Sequence, residues 1–190
     1  GVRAENYIQR YTGINQDNGT FDNEKVLDNL NLFPTLNMIY ALGEKTNLRF
    51  SATRTIARPS FKEASFATII DPLTGRTFIG GFFSDVDVTT GEVVWDGQLK
   101  NTNITNLDLR WETYSTRGQT IAISAFYKAF QNPIEIVQFV QAPNNFQPRN
   151  VGDGRVIGAE LEIRKNLGFV SGRLNKFNLV SNFTITNSEI

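Results

Sequence analysis

The sequence predicts an all-β fold: part of an antiparallel, up-and-down transmembrane β-barrel. Three observations predict it. About seven long segments alternate apolar and polar residues with a period of two; the connections between them alternate long and short; and no segment keeps a helical period over three turns.

The candidate strands cover residues 2–11, 33–42, 47–57, 103–115, 119–130, 155–165 and 176–187. The first residues already read as a strand in progress and the last stop in mid-pattern, so the chain is expected to be a piece of a longer protein. Leu36, Met38, Tyr40 and Leu42 alternate with Thr35, Asn37, Ile39 and Ala41, and Leu48, Phe50 and Ala52 with Asn47, Arg49, Ser51 and Thr53. Leu107, Leu109, Trp111 and Thr113 alternate with Asp108, Arg110 and Glu112, and Ile121, Ile123, Ala125 and Tyr127 with Ala122, Ser124, Phe126 and Lys128. Ile157, Ala159, Leu161 and Ile163 stand against Gly158, Glu160, Glu162 and Arg164; Phe177, Leu179, Phe183 and Ile185 stand against Asn178, Asn182 and Thr184.

The connections 12–32, 58–102 and 131–154 are long, whereas 43–46, 116–118 and 166–175 are short. In a meander, alternate connections lie at opposite ends of the sheet, so the long ones emerge together. Pairing Trp111 with Ile123 also pairs Leu109 with Ala125 and Arg110 with Ser124. It leaves Thr116, Arg117 and Gly118 as a three-residue hairpin loop, whose last residue must be left-handed, and Gly118 meets that need.

A soluble sandwich also alternates, but its strands run about 5–6 residues, whereas a tilted membrane strand needs about ten. Charge at mid-strand on the polar face (Arg49, Asp108, Arg110, Glu112, Glu160, Glu162) suits a wet lumen. Phe33, Trp111, Tyr114, Tyr127, Phe130 and Phe177 lie near strand ends and are candidates for interfacial girdles, with ordinary core packing as the competing reading. An open sheet edge cannot stand in hydrocarbon, so seven strands imply a larger closed barrel with lipid around it, its three long connections at one end and its short turns at the other.

Composition narrows the chemistry. With 19 basic and 19 acidic residues the net charge is zero, giving no reason to expect nucleic acid. There is neither Cys nor His, which removes disulfides, thiolate chemistry and the commonest general base and metal ligand. No apolar run approaches the roughly 18–20 residues of a membrane helix. No enzyme and no cofactor is read from the chain. Asp85, Asp87, Glu92 and Asp96 could offer oxygens to calcium, but a polar hairpin turning at Thr89-Thr90-Gly91 is the preferred account, since the spacing is not that of an EF-hand, and no metal is expected. Glu160 and Glu162 stand about 7 Å apart on one face, a spacing open to a glycosidase pair, but Arg110 and Arg164 are at hand as partners and a wet wall needs no catalysis.

The runs "NLFPTLNMIYALGEKTNLRFSATRTIARPSF" (31–61), "LKNTNITNLDLRWETY" (99–114), "SAFYKAFQNPIEIV" (124–137) and "NVGDGRVIGAELEIRKNLGF" (150–169) resemble the barrel of TonB-dependent outer-membrane receptors, most nearly those of Bacteroidota-type bacteria. The resemblance implies a barrel of about 22 strands, of which this chain is a central-to-late portion of one barrel domain, 1–190, without the N-terminal plug. It implies active transport of a nutrient ligand (iron chelate, cobalamin, glycan or peptide) across the bacterial outer membrane, with outer-membrane lipid around the barrel and the long connections 12–32, 58–102 and 131–154 as extracellular loops. TonB would act through the absent N-terminal region, and a surface lipoprotein is a further candidate partner. A non-transporting barrel serving as an adhesin or envelope component, and a soluble carbohydrate-binding sandwich, are the rival readings. Arg54, Pro59, Asn106 and Glu160 belong to the shared runs and read as architectural.

Ligand contacts are expected in the long connections, above all 58–102. There "TFIGGFFSDVDV" and "GEVVWDG" read as two strands of a raised hairpin, with Phe78, Phe82, Phe83 and Trp95 either packing it or facing ligand.

Overall fold

The structure is a computed structural model and describes residues 1–115 and 118–190. Among these, seven long strands form one antiparallel sheet in chain order: β1 (Val2–Ile14), β2 (Thr20–Gly43), β3 (Thr46–Ala57), β8 (Thr102–Ser115), β9 (Gln119–Gln131), β12 (Asp153–Asn166) and β13 (Asn178–Glu189). Six shorter strands lie in the long connections: β4 (Thr68–Ile70), β5 (Thr77–Ile79), β6 (Asp85–Val86), β7 (Val93–Trp95), β10 (Ile134–Gln138) and β11 (Asn145–Asn150).

Alternation fixes the register of the large sheet. Met38, Phe50, Leu109, Ala125, Ala159 and Ile185 share one row across β2, β3, β8, β9, β12 and β13. The next row, Ile39, Arg49, Arg110, Ser124, Glu160 and Thr184, points to the opposite face. The expected pairs Trp111–Ile123, Leu109–Ala125 and Arg110–Ser124 all form. Gly118 has φ +70°, as the hairpin requires, while Thr116 and Arg117 lie outside the described residues.

The apolar face is bare. Met38, Ile123, Ile157 and Phe183 are each more than half exposed, and among the described residues no second sheet covers them. The sandwich reading is thereby corrected, since a sandwich exists only by burying that face against a partner sheet. The apolar band also slides along the register. On β2 its outward residues run from Leu30 to Leu42 and centre on Leu36. On β8 the centre is Leu109, in the row of Met38, and on β13 it lies beside Phe183, in the row of Tyr40. The drift is four residues over five strand steps; with a rise of about 3.3 Å and a strand spacing of about 4.8 Å it corresponds to strands tilted roughly 30° from the band's normal, the sense and near the size of the tilt in a membrane barrel.

The opposite face is polar and charged. Glu112 is buried and accepts from both Arg49 and Arg110, the latter at 2.9 Å. Arg110 also donates to Glu162 at 2.8 Å and to Ser124 at 3.3 Å, so the carboxylate expected to find Arg110 does so. Gly158 is paired with Phe126, whose ring lies 2.4 Å from where a Cβ would stand; the missing side chain makes room for the ring. The register leaves only Trp111 and Tyr127 of these aromatics on the apolar face, where a girdle would require them. Phe33, Tyr114 and Phe130 have the register of the charged face, because one residue along a strand reverses the side, and Phe177 precedes β13.

The long connections differ from expectation in form. The stretch 12–32 is largely strand: β1 and β2 continue as a hairpin to a tip at 15–19, through irregularities at Gln9/Arg10 and Tyr11/Gly13. The stretches 58–102 and 131–154 build a shared sheet in the order β10–β11–β5–β4, in which β11 and β5 run parallel. The run read as one strand, 77–88, breaks at Gly80, whose α-carbon sits so close to the chain that a Cβ would lie 2.1 Å from the Ser65 carbonyl. Only Asp85–Val86 pairs with Val93–Trp95, as β6 and β7 around the Thr-Thr-Gly turn.

Candidate functional site

The long connections form a cap at one end of the wall, and side chains hold it together. Tyr11 and Phe21 of the β1–β2 hairpin meet Phe66 at ring-centroid distances of 5.7 and 5.5 Å, and Phe66 meets Phe82 and Phe83 at 5.6 and 5.4 Å. Edge-on and tilted rings of this kind add about 0.5–1.5 kcal/mol per pair beyond burial. Gln16 at the hairpin tip donates to Ser84 Oγ at 2.5 Å and accepts from the Ser84 N–H at 2.7 Å.

A second joint is Gln147 on β11, which is fully buried. Its Nε2 donates to the carbonyls of Gly80 (3.1 Å) and Phe83 (2.8 Å), while its Oε1 accepts from Arg149 Nε at 2.9 Å. Arg149 continues to Asp85 Oδ2 at 2.6 Å and stacks on Phe139 at 4.8 Å. One amide thus binds both long connections, and a buried group so fully partnered specifies a single arrangement.

The four aromatics singled out in the sequence are distributed through this scaffold. Phe82 and Phe83 belong to the ring cluster, Trp95 Nε1 donates to the Gly81 carbonyl at 2.8 Å, and Phe78 lies under Lys62 Nζ at 4.1 Å. Their partners Tyr11, Phe21, Phe66 and Gln147 carried no local signal, because each acts on a residue far away in sequence. The four carboxylates weighed for calcium are not brought together: among the described residues no three acidic side chains gather as a metal site. Asp85 is taken by Arg149, Asp87 by the N–H groups of Thr89 and Thr90, and Asp96 by the N–H of Gln98.

Two clefts open in the cap. One, of about 490 Å³, lies between the β6–β7 and β10–β11 hairpins; Val86, Val88, Val94, Val137 and Phe139 line it, with Arg149 and Asp85 at its wall. The other, of about 500 Å³, lies between the β1–β2 hairpin and 58–102, with Phe21, Phe66, Phe82 and Leu99 against Lys25 and Lys100. The first is mainly apolar with a few polar groups, the character of a small-molecule site; the second mixes apolar side chains with Asp28, Asn29, Asp96 and Gln98 beside the two lysines. Asp87 and Asp71, both on exposed turns, are held below the usual carboxylate range, Asp87 by the N–H groups of Thr89 and Thr90, Asp71 by the Thr74 hydroxyl and the Leu73 N–H.

A wall with a bare, sliding apolar band, a charged inner face and its long connections gathered at one end matches the family model described as TonB dependent receptor-like, beta-barrel, over residues 1–190. The chain belongs to this family. Receptors of the family reside in the bacterial outer membrane and are transporters rather than enzymes. Solved structures agree in fold. The siderophore receptor PirA from Pseudomonas aeruginosa superimposes with a TM-score of 0.59 at 18% identity, over 84% of this chain and 25% of that one. A ferric enterobactin receptor (PfeA) variant from P. aeruginosa in complex with enterobactin gives 0.52 at 20% identity, over 73% and 20%. The siderophore receptor PirA from Acinetobacter baumannii gives 0.54 at 12% identity, over 83% and 23%. This receptor barrel section therefore spans about a quarter or less of the length of those structures. No curated protein matches the chain.

Proposed function

We propose that the chain is one section of the barrel of a receptor that captures a nutrient ligand at the cell surface and imports it with energy delivered through TonB. The cap is the extracellular end, the apolar face meets outer-membrane lipid, and the charged face lines the lumen. The observation that carries this reading is the joining of 58–102, 131–154 and the β1–β2 tip into one cap that holds a mainly apolar cleft and a mixed one. Binding groups displayed on loops above a rigid scaffold are a common arrangement for recognition.

The ligand classes remain iron chelate, cobalamin, glycan and peptide. The similar structures named as siderophore and ferric enterobactin receptors give the iron chelate first place in testing. A Bacteroidota-type origin rests on the four sequence runs alone, and the similar structures come from Pseudomonas and Acinetobacter. Phe78, Phe82, Phe83 and Trp95 serve recognition chiefly by shaping the cap that presents the clefts.

Deleting residues 76–97 in the full-length protein tests the reading. A heat-modifiable barrel should still reach the outer membrane while uptake of the cognate ligand falls. Undiminished uptake would place recognition elsewhere, and a non-transporting adhesin would show no TonB-dependent uptake in either form.

A further inference from the structure

Every second residue of β12 has the register of the apolar face: Arg155, Ile157, Ala159, Leu161, Ile163 and Lys165. One cation thus stands above the apolar stretch and one below it, ten residues apart. That separation is about 33 Å along the strand and, at a tilt of roughly 30°, about 29 Å along the band's normal, just more than the height of about 25 Å that a membrane barrel gives its apolar band. Lys165 therefore stands at headgroup level on the short-turn side.

The turn that follows Lys165 is unlike the turn between β2 and β3. Glu44 and Lys45 alone join those strands, whereas residues 167–177 lie between β12 and β13. They form two 3-10 turns, Leu167–Phe169 and Gly172–Leu174. Asn166 ties them down: its side chain accepts from the Gly168 N–H at 2.9 Å and donates to the carbonyls of Asn175 at 2.7 Å and Phe177 at 3.2 Å. The N–H groups of Leu167, Val170 and Phe177 also find carbonyls inside the turn, at 2.9, 3.0 and 3.0 Å. A segment that satisfies much of its backbone internally can rest against lipid at low cost.

Its side chains suit that place. Lys165 Nζ stands 5.6 Å from the centre of the Phe169 ring, so the ring lies at the rim beside the apolar face. Phe169 and Val170 are both more than half exposed. Between Glu162 and Glu189 the chain has four basic residues, Arg164, Lys165, Arg173 and Lys176, and no acidic one. Further strands close a barrel by adding to its lateral edges, so they leave the outer surface of β12 facing lipid.

We propose that the β12–β13 turn is an interfacial anchor for anionic phospholipid, with Phe169 and Val170 set among the lipids and Lys165, Arg173 and Lys176 drawn to the phosphates. Lipid is the occupant because the turn continues the bare apolar face through Ile163 and Leu179, which lie in adjacent outward rows directly above it. Aromatic and apolar groups with basic neighbours of one sign are the composition of a membrane-surface element. The placement rests on the reading that the cap is extracellular, which puts this turn at the periplasmic leaflet.

The test uses the full-length receptor with any cysteines replaced and Val170→Cys carrying a bimane fluorophore, in phosphatidylcholine vesicles. Equal small fractions of brominated phosphatidylglycerol or brominated phosphatidylcholine serve as quenchers, and heat-modifiability confirms that each variant has folded. Both lipids should quench, and phosphatidylglycerol more strongly. That preference, as a relative association constant, should fall about fivefold for each charge removed in Arg173→Gln and in Arg173→Gln/Lys176→Gln. Absence of quenching by either lipid would place the turn clear of the membrane and overturn the proposal. So would a preference that is absent, or that is the same in wild type and the double variant. Orientation is read separately: an impermeant maleimide should reach the unlabelled thiol of Val170→Cys only after the outer membrane is permeabilised. Labelling of intact cells would overturn the extracellular placement of the cap, and with it the periplasmic placement of the anchor, whatever the quenching shows.

Discussion

In the wall, Met38, Phe50 and Leu109 stand side by side on neighbouring strands, with Ile185 farther along the same row, and are bare, while in the cap Tyr11, Phe66 and Phe82 pack against one another from distant stretches of chain. The wall is a ladder of backbone hydrogen bonds whose side chains sort by parity into two environments. The cap has little ladder, and its order comes from stacked rings, a buried glutamine and carboxylates that cap turns. A strand wall is therefore sensitive to which face a change lands on, whereas a cap is sensitive to whether a particular joint survives.

The largest effect should come from breaking parity in the wall. Ile123 and Ser124 are adjacent on β9, with registers on opposite faces. In the full-length barrel Ile123→Arg should cost about 2–4 kcal/mol of folding into bilayers, because a charge near the midplane loses its hydration, whereas Ser124→Arg joins a wet face and costs much less. Reversible folding titrations into phospholipid vesicles measure both. Equal penalties would refute the assignment of the apolar face to lipid.

The cap joints should give the next largest effect, and it should stay local. Gln147→Ala strips a donor from the Gly80 and Phe83 carbonyls and an acceptor from Arg149, a loss of about 1–3 kcal/mol of cap order. Gly80→Ala drives a Cβ into the Ser65 carbonyl and should act in the same direction. Limited proteolysis of intact outer membranes should cut 58–102 faster in both variants, with the barrel's heat-modifiability unchanged. Loss of the folded barrel instead would mean that wall and cap are one cooperative unit.

This contrast also explains what the sequence made legible. Alternation from Leu36 to Tyr40 and from Leu107 to Trp111 is local, so strand positions, register and the left-handed Gly118 could all be read directly. The strand character of 12–32 was hidden, because a polar hairpin standing above the apolar band shows no hydrophobic period. Parity errors came from judging aromatics by closeness to strand ends: Phe130 and Tyr127 differ by three positions and so face opposite ways. Phe82 and Trp95 were visible as aromatics in a loop, but their partners Phe66 and the Gly81 carbonyl are chosen by tertiary folding. Gln147 looks like any surface glutamine in "NNFQPRN", and it is buried where β11 docks beside β5 and the 80–83 backbone, contacts distant in sequence.

The smallest effect sharpens the comparison from the cap's side through pH. Asp87 sits on an exposed turn, and the N–H groups of Thr89 and Thr90, at 2.7 and 3.1 Å, hold its carboxyl below the usual range. A carboxylate whose value is lowered by folding stabilises the folded turn above its unfolded value of about 4, and that support fades as pH falls through the lowered folded value. Between pH 7 and pH 5 the β6–β7 turn should therefore be unaffected, and below about pH 4 it should loosen while the wall ladder, which needs no carboxylate at its backbone hydrogen bonds, stays closed. Hydrogen exchange at Gly91, whose N–H donates to the Asp87 carbonyl at 2.7 Å, reads the turn directly. Asp87→Asn keeps an acceptor oxygen but loses the charge, so it should exchange faster at pH 7 and no longer respond to acid. If wild type and Asp87→Asn exchange alike across the whole range, the carboxylate is not what orders this turn, and the Asp87–Glu92 backbone pairing at 2.9 Å must suffice alone.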